Sequence, residues 1–415
     1  MKRIYLVTKS FPYGNEERSF LGPEYECLKA EFDITLVTTE VDPKNIEAQD
    51  NCKNVVYIKK QRGYIEKVTS LCRFLLQKDC YREIGKIVKT RKNVTKRIGR
   101  ALMFGSAAET FYRRLKKSLN LQRGTEAIMY FYWYDYKCFG MTMHKHQYHN
   151  IRVIARTHGY DLYDERELYG KQFFKEQMDR ELERLIFAAA FAKEYYLKRY
   201  QKCNGQKYPL YRLGVSEKGM SVQYRKREFE ENSFLLLSCS HTITIKRVEL
   251  IIEALALINK KNICWIHLGN GEQFEFIRMM AEQKLEGKEN ISFKFYGEIP
   301  NDDVIRFYKE HYVGAFITTT STEGGSPVSV QEALSFGVPI IATAVGELPI
   351  MVEGNGILLS KNPSKEEVAT SIEKVYDLYG TDSYFNMCGR SLEIFEDKFN
   401  AHYNYTKLKL ELQMI

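Results

Sequence analysis

Residues 321–343 read STEGGSPVSVQEALSFGVPIIAT, and they set two carboxylates, Glu323 and Glu332, around a glycine pair, Gly324 and Gly325, followed by Ser326 and Pro327. Glycines in a turn let backbone N–H groups face outward. Proline suits the first turn of a helix. The unpaired N–H groups and the positive dipole end of such a helix form an anion site. With a phosphate bound there, Glu332 lies one turn deeper and can accept hydrogen bonds from paired hydroxyls such as those of a ribose. Glu323 can meet hydroxyls at the other end. Sugar, diphosphate and ribose together describe a nucleotide sugar. Either glutamate alone reads as a helix cap or a solvated side chain; the cluster as a whole points to a ligand.

Such a turn needs a strand to deliver it and a helix to receive it. Residues 315–319 (AFITT) supply the strand. A helix is expected from about Pro327, with Val330, Ala333, Leu334 and Gly337 on the core face at spacings of three and four. Glu332 falls nearly opposite and is expected to look away from the core. FGVP stops the helix and residues 338–343 form the next strand. Further buried strands are expected over residues 3–8, 33–38, 127–133, 153–156, 234–239, 264–268 and 292–296. Helical patterns lie between them, as over 247–257 and 274–283. Strands alternating with helices imply doubly wound parallel sheets. Gly214 and Gly219 break the pattern near residues 210–220. The expectation is an α/β chain of two facing domains of about 200 residues with a cleft between them.

The 415 residues exceed one ordinary core, and the 44% apolar content is enough to fill two. Nine scattered cysteines, none at C-x-x-C spacing, give neither a zinc cage nor a disulfide framework and fit a reducing, cytoplasmic setting. The first residues read as a strand, not a leader, and no apolar run is long enough to span a bilayer. There is no P-loop and no D-x-D metal signature. HLGNGEQF opens like a dinucleotide fingerprint at Gly269 and Gly271, but Phe274 stands at the third glycine position.

The formal charge is +9, concentrated in one place. From Arg82 to Arg123 there are 13 Lys or Arg against two acidic residues, so 13 − 2 = +11. Apolar residues interleave with them. This is either a solvated basic helix pair or a surface that docks on anionic lipid. Nucleic acid would attract the same charge, but no recognition motif accompanies it, and no nucleic-acid partner is expected.

STEGGSPVSVQEALSFGVPIIATAVGELPIMV resembles the signature of glycosyltransferase family 4, retaining enzymes of the GT-B fold (glycosyl transferases group 1). The resemblance puts the ribose-holding glutamate on Glu332. The donor-sugar glutamate falls on Glu323 with one residue inserted, since the two are nine apart here and eight in the family. SCSHTITIKRVELIIEAL resembles the segment whose Arg–Lys pair clamps the donor diphosphate; Lys246 matches the lysine, His241 stands at the arginine, and Arg247 is adjacent. IARTHGYDLYDER resembles the His-containing segment, which puts His158 near the donor sugar and acceptor, with Arg156 and Asp161 on the acceptor side. FPYGNEE resembles the first loop and brings Gly14 to the cleft. DKFNAHYNY resembles the terminal helix, and the resemblance implies two Rossmann-like domains, 1–213 for the acceptor and 214–390 for the nucleotide sugar, with a helix over 391–415 that crosses back.

These resemblances imply a retaining glycosyltransferase that moves a hexose from a UDP- or GDP-sugar to an acceptor hydroxyl, with no cofactor and no metal. The acceptor expected is a glycan or a lipid-linked precursor of a bacterial surface polysaccharide, and the protein would work at the inner face of the plasma membrane. Two rivals from other classes are a non-catalytic GT-B partner protein, which the His241 substitution and the longer glutamate spacing favour, and a nucleotide-sugar epimerase.

Overall fold

The structure is a computed structural model, and it describes residues 1–13, 17–41, 52, 54–216 and 234–415. Twelve strands run in chain order: β1 (Arg3–Val7), β2 (Asp33–Thr38), β3 (Val55–Tyr57), β4 (Ala127–Phe131), β5 (Ile151–Thr157), β6 (Arg184–Phe187), β7 (Phe234–Cys239), β8 (Ile263–Leu268), β9 (Ile291–Phe295), β10 (Val313–Thr318), β11 (Ile340–Thr343) and β12 (Gly356–Leu359). The early helices are α1 (Arg18–Lys29), α2 (Tyr64–Leu75), α3 (Lys78–Thr90), α4 (Val94–Ser118), α5 (Tyr136–Met143), α6 (Lys175–Glu181) and α7 (Ala190–Arg199). Those that follow are α8 (Val248–Leu257), α9 (Phe274–Leu285), α10 (Asn301–Glu310), α11 (Val328–Ser335), α12 (Leu348–Met351), α13 (Lys365–Leu378), α14 (Asp382–Ile394) and α15 (Ala401–Met414).

The chain divides into two compact units, residues 1–212 with 405–415, and residues 213–404. Part of the joint expected at 210–220, from residue 217 on, lies outside the described residues.

In the first unit six parallel strands run in the order β3-β2-β1-β4-β5-β6. Strands with helices on both faces must be apolar on both faces; β4, AIMYF, is buried at every position. The aromatic rings of Phe74, Phe139 and Phe174 carry the core outward beneath α2 and α4, with Phe139 and Phe174 stacked 4.2 Å apart. The last helix belongs partly to this unit: Tyr405 donates to the Phe20 carbonyl at 3.0 Å, and Glu411 pairs with Arg184.

In the second unit six parallel strands run in the order β12-β11-β10-β7-β8-β9. The chain begins in the middle at β7, builds outward through β8 and β9, then returns to the other side of β7 with β10. The order therefore reverses between β7 and β10. In an open parallel sheet the loops beyond the carboxyl ends of those two strands splay apart and leave a crevice. The first sheet has the same kind of reversal between β1 and β4.

Candidate active site

In the second unit two loops meet at the reversal. One follows β7 and carries His241 and Lys246; the other follows β10 and carries Glu323 to Pro327. Hydroxyls join them. Ser321 Oγ donates to the Ile245 carbonyl at 3.1 Å, Thr320 Oγ1 to the same carbonyl at 3.0 Å, and Thr319 Oγ1 to the Arg247 carbonyl at 2.9 Å. Arg247, in the left-handed region with φ 50°, donates Nε to the Thr319 carbonyl at 2.7 Å and a terminal nitrogen to the Thr320 carbonyl at 3.1 Å. Its guanidinium also reaches Asn362 and the Lys361 carbonyl, so Arg247 braces the loops rather than facing a ligand.

This lacing sets Lys246 Nζ 2.9 Å from Glu323 Oε2, with both side chains largely shielded from solvent. The other Glu323 oxygen accepts from Gly324 N at 3.2 Å. Neither Gly324 nor Gly325 takes positive φ, so the turn does not use the left-handed freedom expected of them. Ser326 is buried, and Gln331 donates to its hydroxyl at 3.0 Å. Pro327 caps α11, as its fixed φ allows.

Glu332 departs from expectation. It was read as facing away from the core, but it is 3% exposed, because α11 is buried from Val330 to Ser335 on every side. The helix has only eight residues and lies beneath the ligand loops, so its wheel has no solvent face. Asn301, at the start of α10, donates to Glu332 Oε1 at 2.6 Å. Burial pushes the carboxyl up to about 7, offset in part by that hydrogen bond. Cys239, at the end of β7, is near enough that Glu332 and burial both push its thiol up. His241 is exposed, its Nδ1 3.3 Å from the Asn270 carbonyl.

The third loop, after β8, is fitted to the first by glycine. A Cβ on Gly269, at φ 129°, would stand 2.1 Å from the Ser240 carbonyl oxygen, and one on Gly271 2.8 Å from that of Thr242. These glycines serve loop-to-loop packing in this structure.

In the first unit the loop after β1 is organised by a carboxylate that sequence reasoning did not single out. Glu17 is buried and accepts from the backbone of Ser10 at 2.7 Å and Phe11 at 2.8 Å, from Lys9 N at 3.1 Å, and from the Trp133 indole. The only signal was its place two residues beyond Gly14 and Asn15, in a loop whose N–H groups lack strand partners. Gly14 itself lies outside the described residues. The Trp133 ring stands 4.2 Å from the His158 ring, and Lys9 Nζ lies over Trp133 and Tyr160 at 4.2 and 3.8 Å. Both His158 nitrogens are enclosed without a hydrogen-bond partner among the described residues. Burial, with Arg156 and Lys9 nearby, holds this imidazole well below its usual range and so neutral.

The two expected companions of His158 are structural. Asp161 accepts from His158 N at 2.6 Å and from Tyr134 N at 2.7 Å, tying the loop after β5 to the loop after β4. Burial raises its carboxyl to about 6 against the pull of the Lys175 ammonium. Arg156, expected to face the acceptor, is fully buried; it pairs with Glu24 at 2.9 Å and donates to Tyr130 Oη at 2.9 Å. An arginine on a strand buried on both faces can only point into a helix-covered layer, and here Glu24 of α1 meets it. A 690 Å³ hollow lined by Arg3, Asp33, Glu126 and Arg152 opens at the amino ends of the same strands, away from the edge where such sheets hold ligands.

Residues 221–390 match the family described as Glycosyl transferases group 1. The matched span lies within the second unit. Lys246, Glu323 and Glu332 all lie inside the matched span. Two curated relatives from Escherichia coli, the O-antigen biosynthesis glycosyltransferase WbnH and the probable O-antigen biosynthesis glycosyltransferase WbiN, are each 30% identical over 135 residues. That stretch is 32% of this chain and 35% of each relative, so the match spans about a third of their length. Among solved structures, the lipopolysaccharide outer core galactosyltransferase WaaB superposes with TM-score 0.65 at 13% identity, covering 99% of both chains. Anabaena HepE in complex with UDP and glucose gives 0.66 at 11% over 100% of both chains. Sucrose-phosphate synthase from Thermosynechococcus elongatus gives 0.68 at 14%, over 100% of this chain and 99% of that one. At such identities the likeness is one of fold, and the fold is the two-domain α/β architecture of the GT-B glycosyltransferases.

What sequence reasoning missed around the group 1 domain was the run TTTST, residues 318–322. Its hydroxyls look like ordinary strand-end residues in the sequence. Their role as ties between loops appears only when β7 and β10 are known to be neighbours.

Proposed function

We propose that the chain is a retaining glycosyltransferase, moving a hexose from a nucleotide diphosphate sugar to a hydroxyl of a glycan or lipid-linked acceptor in bacterial surface polysaccharide synthesis. The observation that carries this is the Lys246–Glu323 pair beside buried Glu332, at the strand-order reversal of a group 1 domain. Lys246 and the amides at the start of α11 suit a diphosphate. Glu332 suits the paired hydroxyls of a ribose, and Glu323 those of the sugar. HepE's complexes with UDP and with UDP-glucose support a uridine donor. The O-antigen relatives support a surface-polysaccharide acceptor.

In the reaction so proposed, the acceptor oxygen bonds to the anomeric carbon as the bond from that carbon to the diphosphate breaks. The acceptor proton passes to the departing phosphate oxygen. Attack and departure on the same face retain the anomeric configuration. No metal and no separate base enter this scheme; His158, neutral and unbonded, accepts or donates a hydrogen bond at the sugar. Among the described residues no helix is long and apolar enough to cross a membrane, and we place the protein at the inner membrane surface.

The test is proton NMR of UDP-glucose, UDP-galactose, UDP-N-acetylglucosamine and GDP-mannose, each incubated with the protein and a bacterial lipid extract. Release of one nucleoside diphosphate with the axial anomeric signal kept in the product supports the proposal. A changed but free nucleotide sugar would make it an epimerase, and four unchanged donors would favour a binding scaffold.

A further inference from the structure

The outer helices of the first unit leave an apolar face uncovered. α2 packs Ser70 and Phe74 inward and turns Ile65, Val68, Cys72 and Leu76 outward, three and four residues apart, with Tyr64 beside them. Ile65 is 77% exposed and Leu76 83%. Seven of the 18 large apolar residues exposed among the described residues lie between Tyr64 and Met103, and four of them, Tyr64, Ile65, Val68 and Leu76, lie on α2 or at its end.

Beside the first turn of α2 is a pocket of about 390 Å³, lined by the segment 58–62, by Lys67 of α2 and by α4. Five cations line it, Lys59, Lys60, Arg62, Lys67 and Arg114, and no lining residue is acidic. Lys60 is held by Glu40 at 2.7 Å, and Arg114 by Glu66, its Nε at 2.8 Å. Five cations less those two carboxylates leaves 5 − 2 = +3. Arg62 donates to the Ser106 hydroxyl at 3.0 Å and has no ion pair among the described residues, although Glu66 lies near. Burial works most strongly against its charge and Arg114 adds to that, while Tyr136 and Glu66 offset them in part. An anion in the pocket would relieve this.

The basic run from Arg82 to Arg123 supplies Arg114 to this pocket, and several of its other cations are engaged within the chain. Arg82 pairs with Asp79, Lys86 with Glu176 and Arg100 with Glu167, and Arg97 holds the Tyr169 carbonyl. At α2 cations and an exposed apolar stripe stand together.

We propose that the α2 face docks on a bilayer, with Tyr64, Ile65, Val68, Cys72 and Leu76 in the boundary between headgroups and acyl chains and the adjoining pocket holding the phosphate of a membrane lipid. An apolar stripe takes up acyl contacts, and each basic residue near an anionic surface adds to the attraction. The proposal deepens the reading of a membrane-borne acceptor and rests on it for the lipid's identity as a carrier.

The test is co-sedimentation of the full chain with vesicles of phosphatidylcholine alone, with phosphatidylglycerol added, and with a polyprenyl phosphate added. Ile65→Glu with Val68→Glu, and Arg62→Gln with Lys67→Gln, are measured alongside. We expect the wild type to bind both anionic vesicles and not phosphatidylcholine alone, with each double variant binding about tenfold less or weaker still. Preference for the polyprenyl phosphate identifies a carrier lipid; equal binding identifies bulk phospholipid. Circular dichroism and UDP calorimetry on the variants show that they are folded, since the donor residues lie in the other unit. No wild-type binding to either anionic vesicle, or wild-type binding by both folded variants, overturns the proposal. Loss of UDP binding in the wild type itself would count against the donor reading and leave this one standing.

Discussion

Lys246 Nζ and Glu323 Oε2 stand 2.9 Å apart, each delivered by a different loop at the point where the strand order of the second sheet reverses. The carboxylate pairs with the ammonium. A diphosphate entering there would take over the ammonium and release Glu323 to sugar hydroxyls.

Glu323→Gln separates these roles. A neutral amide holds the ammonium less tightly, so UDP affinity should stay level or rise, while sugar transfer falls tenfold or more. Calorimetry and a turnover assay on the same preparation check both. A parallel fall in UDP affinity would mean that Glu323 supports the loop and not the sugar.

Glu332 gives a pH signature in stability. An unfolded glutamate titrates near 4.5, and burial moves this one to about 7. Below the lower value both states are protonated and nothing is lost. As pH rises from there to about 7 the unfolded chain ionises more readily, and stability falls by at most about 3 kcal/mol. Glu332→Gln removes that loss. Urea denaturation should show the variant gaining on the wild type between about pH 4.5 and pH 7.5; a constant difference across that range would contradict the burial.

Glu24 and Arg156 form a pair shut away from solvent, with Tyr130 bonded to both. Removing one partner leaves a buried charge, so Glu24→Ala should cost about 3–5 kcal/mol. Glu24→Leu with Arg156→Met should cost clearly less, as measured by urea midpoint. Equal losses would mean that the pair itself, and not the orphaned charge, sets the cost.

Each tryptophan has a histidine nearby: His158 at 4.2 Å from Trp133, and His267 at 6.2 Å from Trp265. Burial lowers both imidazoles, His267 to about 4 and His158 well below 6.5. A protonated imidazole quenches indole emission. Emission should therefore be flat from about pH 7.5 to 5.5; a titration step near 6.5 would show that one of these rings is open to water.

Much of the architecture could be read in the residues. FLLLSC and DITLVT gave strands with the observed bounds because a strand buried on both faces is a plain apolar run. The three strands not foreseen, β3, β6 and β12, have three or four residues and stand at sheet edges, too short to show a pattern of their own in the sequence. The segment Ser321–Thr343 was legible as a turn, a helix and a strand because glycine and proline each carry a local rule. The depth of Glu332 was not, since it depends on α14 and the π turn at Phe395–Phe399, which come much later in the chain and cover the far side of α11. Arg156 misled for a similar reason: its partner Glu24 is 132 positions away (156 − 24).

The most direct test of the central claim is calorimetric titration with UDP and GDP of the wild type, Lys246→Ala and Glu332→Ala. The account predicts that one nucleotide binds at micromolar Kd and that each variant weakens it about 10- to 100-fold, the worth of one charge-assisted hydrogen bond. Binding of neither nucleotide by folded wild type, or undiminished binding by both variants, would contradict it.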